Sequence, residues 1–211
     1  MRPAFYSLSD FPALEQLSRH WRVVREEFLA LDLPVLDIDR VNKSHQEVYE
    51  EFLEHLANGG RGGWVLGWDG DQGSEGSEEA NPDWLSYGLV VFDELVPGAS
   101  ENMPRSCALF ADLQGIKTAA LVKMQPHLLL TTHRHPELER ENLLQMHQAV
   151  DAAEEGNYAY LNVAGEFFQH NMGEACIFDG SLDHFALNAS TQERTILYLE
   201  FEKDRYFRPR P

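Results

Sequence analysis

The chain has 211 residues, and its 17 lysines and arginines stand against 35 aspartates and glutamates, a formal net charge of −18. A protein this acidic repels nucleic-acid backbones and anionic membranes, so neither is an expected partner. Because no apolar run reaches the roughly 18 residues of a membrane span and two cysteines are too few for a disulfide framework, we expect a single cytoplasmic domain, residues 1–211.

The N-terminal part, residues 1–68, is predicted to be mainly helical. Apolar residues recur at spacings of three and four over 11–31, which is typical of a helix with one buried face. The same spacing predicts a second helix over about 45–56, which should end before the glycines at 59–60. A strand is expected at 64–68.

The segment 69–83 has no large apolar side chain and carries much of the acidic charge. Such a composition predicts a solvated loop. Because no second linker and no repeat follows, we do not divide the domain there.

The C-terminal part, residues 107–205, is predicted to be a barrel core of short strands. After a short helix at 107–113, apolar runs alternate with turn residues such as the glycines at 156 and 180. The predicted strands cover 118–124, 127–132, 143–150, 158–163, 174–178 and 195–201. The chain is therefore expected to be mainly β, with an antiparallel jelly-roll or cupin-like barrel and the N-terminal helices packed outside it.

Histidines concentrate in the predicted barrel, where residues 127–184 hold six of the nine. His133 and His135 are two positions apart, so on a strand both imidazoles point to the same face. His184 follows about 50 residues later, and Arg194 ten residues after it. Neutral imidazole binds iron, zinc, copper and nickel, and an arginine can hold an acid. This order predicts a metal site followed by a site for an anion.

One stretch, residues 173–188 with Arg194 after it, resembles the metal-histidine and cosubstrate-arginine motif of the aspartyl/asparaginyl β-hydroxylases. These are iron(II)- and 2-oxoglutarate-dependent oxygenases with a double-stranded β-helix fold. The resemblance covers nearly the whole chain, from the N-terminal helix (5–27) through a middle segment (102–120) to Pro126, ahead of the first histidine. It implies a hydroxylase that uses Fe(II), 2-oxoglutarate and O2.

The resemblance also implies roles for single residues. His133 and His184 correspond to the family's metal ligands, and Arg194 corresponds to the partner of the far carboxylate of 2-oxoglutarate. His147 corresponds to a histidine on the same cosubstrate, and Gln145 takes the place of a nearby arginine.

The third metal ligand has two candidates. His135 stands where related oxygenases have an acidic ligand, and an alternative alignment uses His135 and Glu137 as the His-x-acid pair. We prefer His133 as the first ligand, because Pro136 disturbs the alternative arrangement. The third position then takes His135, Glu137 or a water molecule, because the family often has a small residue there, with water filling the site.

Two further positions depart from the family pattern. Val122 stands in the place of a serine, and His170 stands where the family usually has tryptophan. These departures concern the substrate and the cosubstrate contacts, and they leave His184 and Arg194 untouched.

We therefore expect hydroxylation of an amino-acid side chain, of the Asp/Asn type or related, in a free, peptide-borne or carrier-bound substrate. Two alternatives stay open. One is another metal-binding cupin enzyme, because 133–139 has the spacing of a first cupin motif; it leaves Arg194 and the N-terminal helices without a role. The other is a non-catalytic binding protein on the same fold.

Overall fold

The computed structural model describes residues 2–36, 38, 45–68 and 80–209. Its α-helices are α1 (Pro12–Ser18), α2 (Trp21–Leu29), α3 (His45–Ala57), α4 (Ala99–Asn102), α5 (Pro104–Ala108), α6 (Pro136–Arg140) and α7 (Lys203–Tyr206). Its strands are β1 (Phe5–Tyr6), β2 (Val65–Trp68), β3 (Ala80–Val91), β4 (Glu94–Leu95), β5 (Ile116–Met124), β6 (Leu128–His133), β7 (Leu143–Asp151), β8 (Ala159–Val163), β9 (Glu166–Gln169), β10 (Ala175–Phe178), β11 (His184–Asn188) and β12 (Arg194–Glu202).

The strands form two antiparallel sheets that pack face to face. The large sheet has the order β1-β10-β7-β12-β5-β3-β2, with β4 added to β3, and the small sheet has the order β6-β11-β8-β9. From β5 to β12 the pairs are nested, because β5 pairs with β12, β6 with β11, β7 with β10 and β8 with β9. Nesting around the β8–β9 hairpin is the topology of a jelly roll, or double-stranded β-helix, and it confirms the predicted fold.

The N-terminal helices cover the outer face of the large sheet, as predicted. One apolar cluster joins Leu14 of α1 and Phe28 of α2 to strand residues such as Leu199. Side chains alternate along β12, so Leu199 faces the helices while Ile196 and Tyr198 face the barrel interior. The same alternation aims the first residue of β12 into the barrel.

The first predicted helix is in fact two helices, so that prediction was wrong. α1 ends at Ser18, whose hydroxyl donates a 2.8 Å hydrogen bond to the Glu15 carbonyl. Such a local contact competes with the helical backbone pattern. The apolar spacing continues through the break because both helices face the same sheet, and periodicity therefore does not reveal the break.

Two other predicted boundaries were also wrong. The helix predicted over 107–113 lies earlier, as α5, because Pro104 suits a first helical position. Residues 80–83, predicted as part of the acidic loop, begin β3, and Ala80 and Asn81 pair with β2. Backbone pairing does not require large apolar side chains, so the composition of this segment did not reveal the start of the strand. Residues 69–79 of the predicted loop lie outside the described residues.

Glu27 of α2 fixes the start of α5. Its carboxylate belongs to a residue that is only 8% exposed. It accepts hydrogen bonds from the N–H and the hydroxyl of Ser106 and from the N–H and Nε of Arg105. Burial alone raises the pKa of this carboxyl, but the hydrogen bonds from Ser106 and Arg105 outweigh it and lower the pKa overall.

We expect Glu27→Ala to lower the free energy of unfolding by about 2–4 kcal/mol, because buried donors lose their acceptor. The folded-state pKa lies below the unfolded value. The contribution of Glu27 is therefore complete above the unfolded pKa and is lost as the pH falls through the folded one. Chemical denaturation between about pH 7 and pH 3 measures both effects. Glu26→Ala is the matched control, because Glu26 pairs with Arg105 at the surface; equal losses in both variants would contradict this role.

Candidate metal centre

Three histidines meet at one end of the small sheet. His133 ends β6 and His184 begins β11, and the register pairs them directly. Their ring centroids lie 4.3 Å apart, and the ring of His135 lies 5.2 Å and 5.4 Å from them. One nitrogen of each ring lies within 4.8 Å of one nitrogen of each other ring. This group can hold a single metal ion.

His135 reaches the group by a route that the sequence did not predict. β6 ends at His133, and Pro136 begins α6. The N–H of His135 donates to the Gly180 carbonyl at 2.9 Å, which fastens this segment to the turn before His184. The prediction that strand alternation brings the two imidazoles together is therefore wrong, although the rings do meet.

Hydrogen bonds decide which nitrogen of each ring is free. Nδ1 of His133 and Nδ1 of His184 each lie against the carbonyl oxygen two residues earlier, at 2.7 Å and 2.8 Å. Nδ1 of His135 lies 3.2 Å from Oε1 of Glu137. An Nδ1–H that donates to such oxygens leaves the Nε2 lone pair for a metal. Glu137 thus lies behind His135, and among the described residues the group that could share an ion consists of histidines alone.

Burial keeps two of these imidazoles neutral. It lowers the pKa of His133, and it lowers the pKa of His184 to about 3, with a further contribution from the neighbouring His133. At neutral pH these rings therefore offer lone pairs without first losing a proton.

Arg194, the first residue of β12, is a buried cation without a counter-ion in the described part of the chain. It is only 3% exposed. Its Nη2 lies 3.1 Å from the sulfur of Met124, whereas Nε and Nη1 reach no acceptor among the residues described. Burial lowers its pKa to about 10, so it stays charged at neutral pH. A buried charge of this kind destabilises the folded protein until an anion pairs with it.

The three histidines and Arg194 lie toward opposite ends of the barrel. At one end, which we call the mouth, the ring of Phe178 lies 5.8 Å from that of His184. At the other, which we call the closed end, Arg194 pairs with Met124 across β12 and β5. There the amide nitrogen of Asn188 lies 2.8–3.3 Å from three carbonyl oxygens, those of Met124, Gln125 and Gln192. A molecule that touches both sites must lie along the barrel axis.

β7 directs His147 and Gln145 into the space between these ends. The ring of His147 lies 4.8 Å from that of Phe178 and 5.6 Å from that of Tyr198. The amide nitrogen of Gln145 donates to the Tyr198 hydroxyl at 2.7 Å and to Glu200 at 3.2 Å. The donor group of Gln145 is therefore already used by the protein itself.

The profile of the family described as Aspartyl/Asparaginyl beta-hydroxylase matches residues 18–204. The chain belongs to this family. The match contains the three histidines, Arg194, His147 and Gln145, and it confirms the resemblance noted in the sequence.

A curated relative of this β-hydroxylase family member is the "Ornithine lipid ester-linked acyl 2-hydroxylase" of Rhizobium tropici, which is 24% identical over 120 residues. The match covers 57% of this chain and 42% of the relative, so the chain spans less than half of the relative's length. Within the part of the chain that the structure describes, no helix has both the length and the apolar character needed to cross a bilayer.

Solved structures with partial likeness to this chain include two cupin-type proteins. One is a predicted oxalate decarboxylase from Thermotoga maritima, with 13% identity, coverage of 58% of this chain and 83% of that one, and a TM-score of 0.38. The other is a cupin domain of an XRE family transcriptional regulator from Enterobacter cloacae, with 11% identity, coverage of 56% and 96%, and a TM-score of 0.39. The fold is therefore assigned from the nested strand pairs of this chain and not from these two structures.

Three residues near this site make contacts that the sequence did not predict. Tyr198 and Glu200 accompany Gln145 at the mouth. Side chains alternate along β12, so counting in steps of two from Arg194 would have indicated that both residues face the barrel interior. His170 lies 3.3 Å from His147, measured between Nε2 and Nδ1. A contact across 23 residues of chain leaves no local pattern in a sequence.

Proposed function

We propose that the protein is an Fe(II)- and 2-oxoglutarate-dependent hydroxylase that acts on an amino-acid side chain. The observation that carries the proposal is Arg194, a buried guanidinium with two nitrogens that lack an acceptor in the described residues. Arg194 lies toward the opposite end of the barrel from three histidines that can hold a metal. A keto acid with a second, distant carboxylate has the chemistry to contact both sites, whereas a cupin enzyme without one leaves Arg194 unpaired.

The histidine group suits ferrous iron. His133, His135 and His184 supply imidazole nitrogen donors, which bind Fe(II) and leave other positions on the ion for small ligands. When bound, iron together with 2-oxoglutarate supplies the oxygen chemistry that hydroxylates an unactivated C–H bond. The protein contributes the position of the metal, through the three Nδ1 hydrogen bonds that hold the rings.

Arg194 suits the far carboxylate of the cosubstrate. The guanidinium presents donors in a planar fork that matches a carboxylate, and it stays charged throughout the working pH range. Because Nε and Nη1 have no acceptor among the described residues, the guanidinium has free donors for a carboxylate. The position of Arg194 at the closed end sets the distance that the ligand has to span.

Apolar residues line the barrel between the metal and Arg194. Val122 and Ile196 of the large sheet belong to one buried interior cluster, and Leu161 and Phe178 belong to another. Such a wall keeps bulk water away from the reacting centre. The polar side chains of Gln145, Tyr198 and Glu200 lie at the mouth, where a substrate side chain would approach the metal.

An anaerobic titration tests this function. Fe(II) followed by 2-oxoglutarate is expected to give the weak visible charge-transfer band of a metal-bound keto acid. Glutarate, which has the same two carboxylates but no keto group, is the matched control and should give no band. Binding of Fe(II) with no band on saturation by 2-oxoglutarate would overturn the oxygenase assignment and favour the other cupin enzymes.

The substrate class needs a separate measurement. The iron-loaded protein is incubated with 2-oxoglutarate, O2 and a panel of free amino acids and peptides, and products are analysed by mass spectrometry. The expected result is the gain of one oxygen atom on a side chain, with succinate formed in equal amount. Succinate formation that no member of the panel stimulates would contradict the amino-acid assignment.

A further inference from the structure

Two buried histidines form a pair behind the proposed cosubstrate site. His147 lies on β7 and His170 directly follows β9, and they are 8% and 0% exposed. Nδ1 of His147 lies 3.3 Å from Nε2 of His170. One ring therefore donates a hydrogen bond to the other, and which ring donates decides what His147 presents to a ligand.

Both rings are neutral. Burial holds the pKa of His147 and of His170 well below the ordinary value, and the positive charge of Arg194 lowers both further. Each neutral imidazole carries one N–H, so the pair holds two. One N–H occupies the hydrogen bond between the rings. The other lies at one of the two outer nitrogens, Nδ1 of His170 or Nε2 of His147.

The surroundings of His170 decide between these positions. Nδ1 of His170 is buried, and no hydrogen-bonding partner reaches it from the described residues. An N–H there would be an unpaired donor in the positive field of Arg194, whereas a lone pair is favoured by that field. The remaining N–H therefore belongs on Nε2 of His147, the nitrogen that the pair leaves for a ligand.

We infer that His170 is a positioning residue that sets the tautomer of His147: Nε2–H of His170 donates to Nδ1 of His147, so that His147 offers an N–H donor to an anionic oxygen. This goes beyond the role expected of His147 alone. The link to 2-oxoglutarate rests on the proposed function, while the tautomer itself is a property of the ligand-free protein.

Nuclear magnetic resonance of the metal-free protein labelled with 15N-histidine tests the tautomer directly. Long-range proton–nitrogen correlations are expected to show Nε2 of His147 protonated and Nδ1 bare. In His170→Gln, whose side-chain amide can still donate, that tautomer should persist. In His170→Phe, which fills similar space without a donor, it should be lost. A parent protein with Nδ1 of His147 protonated would overturn the inference, with or without cosubstrate binding.

Cosubstrate affinity gives the second measurement. Loss of one well-placed neutral hydrogen bond corresponds to about a tenfold change in the Kd for 2-oxoglutarate. We expect that loss in His170→Phe, with unchanged Fe(II) content, and a change of less than about threefold in His170→Gln. Equal losses in both variants would show that His170 acts through its shape and would overturn the positioning role. If the parent binds no 2-oxoglutarate, the proposed function fails, and the tautomer is still decided by the resonance experiment.

Discussion

His184→Ala is expected to abolish stoichiometric Fe(II) binding. The substitution removes one of three nitrogen donors and leaves the ion to His133, His135 and water. Changes to residues that only support a ligand weaken metal binding by roughly 10- to 100-fold, and loss of the ligand itself should exceed that. Elemental analysis after anaerobic loading and gel filtration measures the bound iron.

Two sets of variants make this result specific. His133→Ala and His135→Ala are expected to lose iron in the same way, because all three rings belong to the group. His127→Asn is the matched control, since His127 is exposed in the turn before β6 and its φ of 60° suits asparagine. A folded His184→Ala protein that keeps one iron per chain would contradict the ligand assignment.

Arg194→Ala is expected to weaken 2-oxoglutarate binding by about 30- to 4000-fold, or roughly 2–5 kcal/mol, while iron stays bound. The loss is large because the guanidinium is buried and two of its nitrogens are available for the carboxylate. Iron is retained because Arg194 lies at the closed end, away from the histidines. The anaerobic band measures cosubstrate affinity, and succinate release measures turnover.

Arg194→Lys and Arg194→Met separate binding from folding. Lysine should recover only part of the affinity, because a point charge does not reproduce the planar fork. The ligand-free methionine variant should unfold at a Tm no lower than that of the parent, because it lacks an unpaired buried charge. Addition of 2-oxoglutarate to the iron-loaded protein should raise the Tm of the parent and leave that of the methionine variant unchanged. An alanine variant that binds 2-oxoglutarate as tightly as the parent would contradict the cosubstrate role.

The barrel could be predicted because its strands are short and separated by clear turns. The nesting of strand pairs around β8 and β9 could not, because it depends on contacts between distant segments. The start of β3 escaped prediction for a related reason: its first residues pair through backbone groups while their composition is that of a loop. The break between α1 and α2 could not be predicted from the apolar spacing, because both helices pack their apolar faces on the same sheet.

The site was predictable to the extent that its residues share a recognisable motif. The stretch that contains His184 and precedes Arg194 has such a motif. The approach of His135 does not, because it depends on a hydrogen bond to Gly180 and on the helix that begins at Pro136. The pairing of His147 with His170 likewise joins a strand of the large sheet to the residue that follows β9 of the small sheet, and no sequence spacing encodes it.

The Asn188 amide, which ties three carbonyls across the closed end of the barrel, gives the proposed reaction a kinetic order. If ligands enter and leave only past the three histidines, the proposed function implies that 2-oxoglutarate reaches Arg194 before a substrate occupies the mouth. It also implies that succinate leaves after the hydroxylated product. Steady-state kinetics should therefore be compulsory-order, and excess substrate should act as a competitive inhibitor toward the cosubstrate.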